Sequence, residues 1–175
     1  MLQLIVGGAR SGKSRYAAAL AGSSPVTYIA TAERSDDPEF MARIERHREE
    51  RPSAWVTLEE PRDPARAALE ATTPFVILDC ATLWLSNLLL ARAGKDESED
   101  EIEREVTGAI DKLVKAGRMR EVIVVTNDVG GGVVPMEALA RRFVDLQGRV
   151  NQRLAGAASR VVLMVAGIPL EVKRS

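Results

Sequence analysis

Cysteine and histidine are almost missing from this 175-residue chain, which has one of each, Cys80 and His47. A lone cysteine excludes an intrachain disulfide and any zinc site built on several thiolates; a lone histidine excludes a histidine-rich metal centre. Aromatic residues make up only 4% of the chain, so aliphatic side chains must fill the core. Neither sign of charge is in excess, with 24 Lys+Arg against 25 Asp+Glu. That balance leaves no electrostatic footprint for indiscriminate nucleic-acid binding, and no nucleic-acid partner is expected. No apolar run approaches the ~18 residues of a membrane span. The apolar start, Met1–Val6, carries neither a basic leader nor a cleavage site, so no signal peptide is read there and a cytoplasmic setting is expected. What is present, 46% hydrophobic and 28% charged residues, is ordinary globular composition. The length fits one domain over residues 1–175.

Short continuous apolar runs rich in Val and Ile predict strands at Leu2–Val6, Val26–Ala30, Phe75–Leu78, Val122–Thr126 and Val161–Ala166. Continuous rather than alternating patterns are those of strands covered on both faces. Between them lie helical patterns at about Lys13–Ala21, Pro38–Glu50, Leu83–Ala93, Glu99–Lys115 and Glu137–Ala157. The alternation predicts an α/β fold, a mostly parallel sheet flanked by helices on both faces, with ligands at the carboxyl ends of the strands. The acidic stretch Ala93–Glu101 reads as a solvated loop. The stretch Asn127–Pro135, with three successive glycines, follows a strand end and admits two readings, close approach to a ligand or plain flexibility.

The first loop carries the strongest signal. Gly7, Gly8, Ala9, Arg10, Ser11, Gly12, Lys13 and Ser14 fit the phosphate-loop pattern G-x-x-x-x-G-K-[ST], with an apolar strand before and a helix after. Such a loop turns backbone N–H groups toward phosphate oxygens, and the helix N-terminus adds positive potential. Lys13 is expected to reach the β/γ-phosphates and the Ser14 hydroxyl to ligate Mg²⁺. Phe75-Val76-Ile77-Leu78-Asp79 is an apolar strand ending in an acid, so Asp79 is the second candidate for Mg²⁺, with capping of the next helix as the less favoured alternative. These features call for a nucleoside triphosphate and Mg²⁺ without naming the reaction.

Asp37-Pro38 starts a helix and Pro52 stops it. Phe40, Ile44 and His47 share one face of that helix, so His47 reads either as the margin of a packed face or as a reactive group. Arg43, Arg46, Arg48 and Arg51 lie within about a turn of it. Such a cluster would hold an anion and disfavour a further positive charge on the ring, as imidazole attack on phosphorus requires.

At the level of whole segments the chain resembles the bifunctional adenosylcobinamide kinase / adenosylcobinamide-phosphate guanylyltransferases of cobalamin synthesis. The resemblance rests on Gly7–Arg15, Tyr28–Ala32, Arg43-Ile44-x-x-His47-Arg48-x-x-Arg51-Pro52, Trp55, Glu59 and Leu78–Leu88. It continues through Thr126-Asn127, Val129–Pro135, Arg141-x-Phe143-x-Asp145, Gly148-x-x-Asn151-Gln152 and Gly167-x-Pro169. It implies transfer of the γ-phosphoryl of ATP or GTP to the hydroxyl of adenosylcobinamide. It also implies transfer of GMP from GTP to adenosylcobinamide phosphate through a guanylyl-histidine, which falls on His47. Guanylate contacts carry over to residues 7–14, to Thr31, Ala32 and Glu33, to Arg48, Glu49, Glu50 and Arg51, and to Glu59 and Asp79. The family is also similar in having a P-loop core and forming a homotrimer.

Two positions depart from the family pattern: Asp128 stands where Glu is usual, and Ala18 where an acid is common. The chemistry does not need either. Two other readings of the phosphate loop are a small-molecule kinase without nucleotidyl transfer and a nucleotide-binding regulator. The N-K-x-D signature of GTPase switches is missing, since Thr126-Asn127-Asp128-Val129 has no lysine. Trp55 and Trp84 are expected to be buried against the sheet rather than to contact a corrin ring.

Overall fold

The computed structural model describes residues 1–49, 51–92 and 99–174; the side chains of Arg43 and Glu99 lie outside that description. The expected contribution of Glu50 and most of the acidic stretch, residues 93–98, therefore fall outside the described residues. Seven strands form one sheet in the order β3-β2-β4-β5-β1-β6-β7. They are β1 (Leu2–Gly7), β2 (Val26–Ala30), β3 (Val56–Glu59), β4 (Phe75–Asp79), β5 (Glu121–Asn127), β6 (Arg160–Val165) and β7 (Ile168–Arg174). Six run parallel and β7 pairs antiparallel with β6. The helices are α1 (Lys13–Ala21), α2 (Pro38–Glu49), α3 (Pro64–Glu70), α4 (Ala81–Leu90), α5 (Glu99–Met119) and α6 (Ala138–Ala157).

Because side chains alternate along a strand, the sheet separates the core into two clusters. On one face Leu4, Ile29, Val76, Leu78, Val122 and Val124 pack against α3, α4, α5 and α6. On the other face Ile5, Tyr28, Ile77, Ile123 and Val125 pack against Ala17 and Ala21 of α1. This parity decides the site. At the carboxyl ends Gly7, Ala30, Asp79 and Asn127 continue the second series, so their side positions face the α1 side. The helix that follows the phosphate loop begins on that side.

All five predicted strands and five predicted helices are present, with ends displaced by a few residues. The helix expected from Leu83 begins at Ala81, and that expected to end at Lys115 runs on to Met119. Three elements are not in the sequence reading. Strand β3 has four residues on a sheet edge and little burial. Helix α3 is one short turn pair, although Asp63 caps it through the Arg66 N–H and Pro64 opens it. Strand β7 holds Pro169 and is largely exposed, with Ile168, Leu170 and Val172 all more than half exposed on alternate positions. It is tied down by its hairpin with β6 and by Lys173, whose Nζ donates to the carbonyls of Ala155 (2.9 Å) and Gly156 (3.0 Å) at the end of α6. Those carbonyls are the ones a helix end leaves without partners.

Candidate active site

The phosphate loop joins β1 to α1 through backbone that few residues accept. Arg10 and Gly12 have φ of 57° and 92°, the alternation of hand that turns successive N–H groups into an anion nest. Gly7 has no room for a side chain, since a Cβ there would lie 2.6 Å from the Met164 carbonyl oxygen. The buried Lys13 folds back on the loop and donates to the Gly8 carbonyl at 2.6 Å. Ser11 Oγ is buried with no hydrogen-bond partner among the described residues. A charged amine parked on its own loop and an orphaned hydroxyl are groups that phosphate oxygens would satisfy. The Gly167 N–H donates to the Ser11 carbonyl at 3.0 Å, so the β6–β7 turn braces the loop.

A second cluster lies across the sheet end, at β4, β2 and β3. Register aligns Ala30 with both Asp79 and Glu59, while Gly7 is aligned with Asn127. Strand β5 therefore stands between the phosphate loop and Asp79, a separation of about 10 Å at ~4.8 Å per strand. Glu59 lies four strand spacings from the loop, about 19 Å on the same spacing. Asp79 does not cap α4. That position belongs to Cys80, whose Sγ accepts from the Leu83 N–H at 3.4 Å. The Asp79 carboxylate accepts a short hydrogen bond from the Tyr28 hydroxyl. Burial, then the field of Asp79 and this bond, raise the Tyr28 hydroxyl well above the ordinary tyrosine range, with Arg51 opposing. The Arg51 guanidinium sits 4.0 Å over the Tyr28 ring, whose other neighbour is the stacked ring of Trp55.

Thr31 is fully buried and locks the β2 and β4 ends together. Its hydroxyl accepts from the Cys80 N–H at 2.8 Å and donates to the Cys80 carbonyl at 2.7 Å; its own N–H donates to the Asp79 carbonyl at 3.1 Å. Asn87 holds the same segment by donating to the Thr31 carbonyl at 2.8 Å. Arg48 approaches Glu59 at 3.7 Å and Glu33 pairs with Arg62 at 2.7 Å. The end of α2 is thereby drawn to the β3 end. Within α2, Phe40, Ile44 and His47 are half-buried as their shared face predicts, Arg46, Arg48 and Glu49 are exposed, and none of its described residues is fully buried.

The structure thus gathers the candidates into two groups. Residues 7–14 form one, and Thr31, Ala32, Glu33, Arg48, Arg51, Glu59 and Asp79 the other, within which Tyr28 joins Arg51 to Asp79. His47 goes with the second group through its neighbour Arg48. Tyr28 appears in the sequence as an apolar strand residue and as the first residue of one family segment, and no local pattern marks its contacts with Arg51 and Asp79. Trp84 is buried as expected, its Nε1 donating to the Arg62 carbonyl at 3.3 Å, whereas Trp55 is only half-buried beside Tyr28.

Cys80 sits in this row without a reactive role. Burial and the neighbouring Asp79 carboxylate push its thiol up to about 11. At pH 8 iodoacetamide is expected to alkylate native protein at least ~100-fold more slowly than the denatured chain, because the thiolate is the reacting form. Comparable labelling of both by mass spectrometry would show an accessible thiolate instead.

Comparison with known proteins agrees with these motifs. The family model described as cobinamide kinase / cobinamide phosphate guanyltransferase matches residues 3–172. The bifunctional adenosylcobalamin biosynthesis protein CobU of Salmonella typhimurium is 44% identical over 182 residues, covering 99% of this chain and 100% of its own. CobU of Escherichia coli is 45% identical over 183 residues with the same coverage. CobP of Pseudomonas aeruginosa is 44% identical over 179 residues, covering 99% and 98%. Among solved structures, the P4 protein from bacteriophage phi13 aligns with a TM-score of 0.44 and 13% identity over 97% of this chain and 53% of that one, a likeness too low to carry an argument. Matched from near its first residue to near its last, the chain belongs to the cobinamide kinase / cobinamide phosphate guanyltransferase family.

Proposed function

We propose that this protein phosphorylates adenosylcobinamide with ATP or GTP and then transfers GMP from GTP to adenosylcobinamide phosphate, releasing pyrophosphate. The observation that carries the reading is the near full-length family match to a chain with a single imidazole, held on the helix whose Arg48 reaches the β3 end and which Arg51, two residues beyond its last turn, follows onto Tyr28 of β2. In the first reaction the substrate hydroxyl attacks the γ-phosphorus, its O–P bond forms, and the bond to the nucleoside diphosphate breaks. The loop N–H groups and Lys13 hold the β- and γ-phosphates and offset the charge that develops there.

In the second reaction an imidazole nitrogen of His47 attacks the α-phosphorus. A P–N bond forms, the bond from the α-phosphorus to the bridging oxygen breaks, and pyrophosphate leaves. An oxygen of adenosylcobinamide phosphate then attacks the same phosphorus and the P–N bond breaks, restoring His47. Dividing one displacement into two is the usual gain of covalent catalysis. In this reading Thr31, Ala32, Glu33, Arg48, Glu49, Glu50, Arg51 and Glu59 surround the guanylate, and residues 7–14 the phosphates.

The donor set suits Mg²⁺. No group of three or more metal-binding side chains occurs among the described residues, but this ion is ordinarily held by one or two protein oxygens plus phosphates and water. The Asp79 carboxylate and the Ser14 hydroxyl would be those oxygens. When bound, the ion supplies charge neutralisation at the phosphates. A homotrimer and a cytoplasmic setting complete the proposal. The exposed apolar positions of β7 suit an assembly contact, and no helix among the described residues is long and apolar enough to cross a membrane.

The test is covalent labelling. Incubation with Mg²⁺ and GTP labelled at the α-phosphorus is expected to leave acid-labile, base-stable label on denatured protein, while γ-labelled GTP leaves none. Absence of α-label with nucleotide binding intact would favour a plain P-loop kinase.

A further inference from the structure

A buried polar network on the opposite face of β5 has no part in the reading above. Thr126 and Gln147 are fully buried. The Thr126 hydroxyl donates to Asn151 Oδ1 at 2.8 Å and accepts from Gln147 Nε2 at 3.0 Å, and Gln147 Nε2 also donates to Asn151 Oδ1 at 2.8 Å. Together with α4, the network grips the main chain of the next residue. The Asn127 N–H donates to Thr82 Oγ1 at 2.8 Å, and Asn151 Nδ2 donates to the Asn127 carbonyl at 3.0 Å. Gln147 Oε1 is buried without a partner among the described residues. The other bonds join Thr82, Thr126, Gln147 and Asn151 to one another and to the Asn127 main chain, and breaking them would bury further unpaired polar groups, so the network favours one conformation of the strand end.

What it fixes is the direction of one side chain. Both main-chain groups of Asn127 are engaged from the α4/α6 side, and strand parity turns its carboxamide to the other face, where α1 begins. That carboxamide is half-buried and has no hydrogen-bond partner among the described residues. Asn127 is in register with Gly7, the Asp128 N–H donates to the Gly7 carbonyl at 3.1 Å, and β4, ending in Asp79, flanks the other side. A free amide donor is therefore held between the phosphate loop and the carboxylate proposed for Mg²⁺.

We infer that Asn127 Nδ2 donates a hydrogen bond to the terminal phosphate of a bound nucleoside triphosphate, and that Thr126, Gln147 and Asn151 are positioning residues that aim it. The inference rests on the nucleotide-transfer reading for its ligand but is read by binding alone. Diphosphates end one phosphate short, so the donor discriminates tri- from diphosphate.

The test measures dissociation constants for the β,γ-imido analogue of GTP and for GDP, by calorimetry with Mg²⁺, in wild type, Asn127→Ala and Asn127→Asp. A hydrogen bond to a charged acceptor predicts that triphosphate affinity falls about 10- to 100-fold in Asn127→Ala while GDP affinity is unchanged. Asn127→Asp keeps the size, places a carboxylate against the phosphate and should lose at least as much. Asn151→Ala should lose part of the same discrimination. A merely structural role for these residues would lower the melting temperature and weaken both nucleotides alike. An unchanged triphosphate-to-diphosphate ratio in both Asn127 variants overturns the inference. Failure of the functional proposal would look different: wild-type protein would transfer neither phosphoryl nor guanylyl groups, whatever the binding ratio.

Discussion

Replacing His47 by Ala is expected to abolish α-label on the protein and to reduce GMP transfer by at least ~10³-fold, the scale of losing a covalent nucleophile, while γ-phosphoryl transfer survives. The chain offers no substitute, since it has no second imidazole and its one thiol is buried and held protonated. The geometry adds a condition. Arg48, next to His47, is bound at the β3 end, about four strand spacings from the phosphate loop. With its terminal phosphates in the loop, the proposed triphosphate would stretch along the sheet end from loop to α2 and bring its α-phosphorus toward His47. Helix α2 is also the one helix with no fully buried described residue, tied to β3 by Arg48 and, through Arg51 just after it, to Tyr28 of β2. Few buried contacts mean a low cost of displacement, and closure of this helix on nucleotide would bring the imidazole in. Measurement is by label on denatured protein and by product formation from cobinamide phosphate. Full transfer by His47→Ala would return the imidazole to the half-buried face of its helix.

How much of this was legible in the sequence follows from burial. The five inner strands are continuous Val/Ile runs because helices cover both their faces, and such runs announce themselves. Strand β3 and strand β7 lie at the sheet edges, where burial no longer dictates an apolar pattern, and both escaped the reading. The phosphate loop was legible since its function constrains consecutive residues. The contacts of Tyr28 were not, because they join strands β2 and β4 and the segment after α2, residues 28, 79 and 51. The same holds for Thr82, Thr126, Gln147 and Asn151, whose bonds span up to 45 positions. Asp79 was placed correctly at its strand end, but its choice between cap and metal needed the structure, which gives the cap to Cys80.

Lys13→Ala should behave in the opposite way to the histidine variant, lowering both transfers, each by roughly 10²–10³-fold, the loss typical of one charge-stabilising donor. The reason is that both reactions develop charge on the same phosphates. Phosphoryl transfer leaves it on the β-phosphate oxygen, and guanylyl transfer leaves it on departing pyrophosphate. The buried amine now rests on the Gly8 carbonyl at 2.6 Å, so a phosphate must compete with that bond. The exchange favours the anion because a charge-assisted bond to phosphate is about twice as strong as one to a neutral acceptor. Lys13→Arg is expected to rescue little, since a forked guanidinium does not fit where a compact ammonium is enclosed by loop backbone. Steady-state rates with each substrate, beside the melting temperature, separate chemistry from folding. If Lys13→Ala lost phosphoryl transfer but kept guanylyl transfer, the two reactions would use different phosphate sites. A single loop serving both would then be wrong, however well His47 behaved.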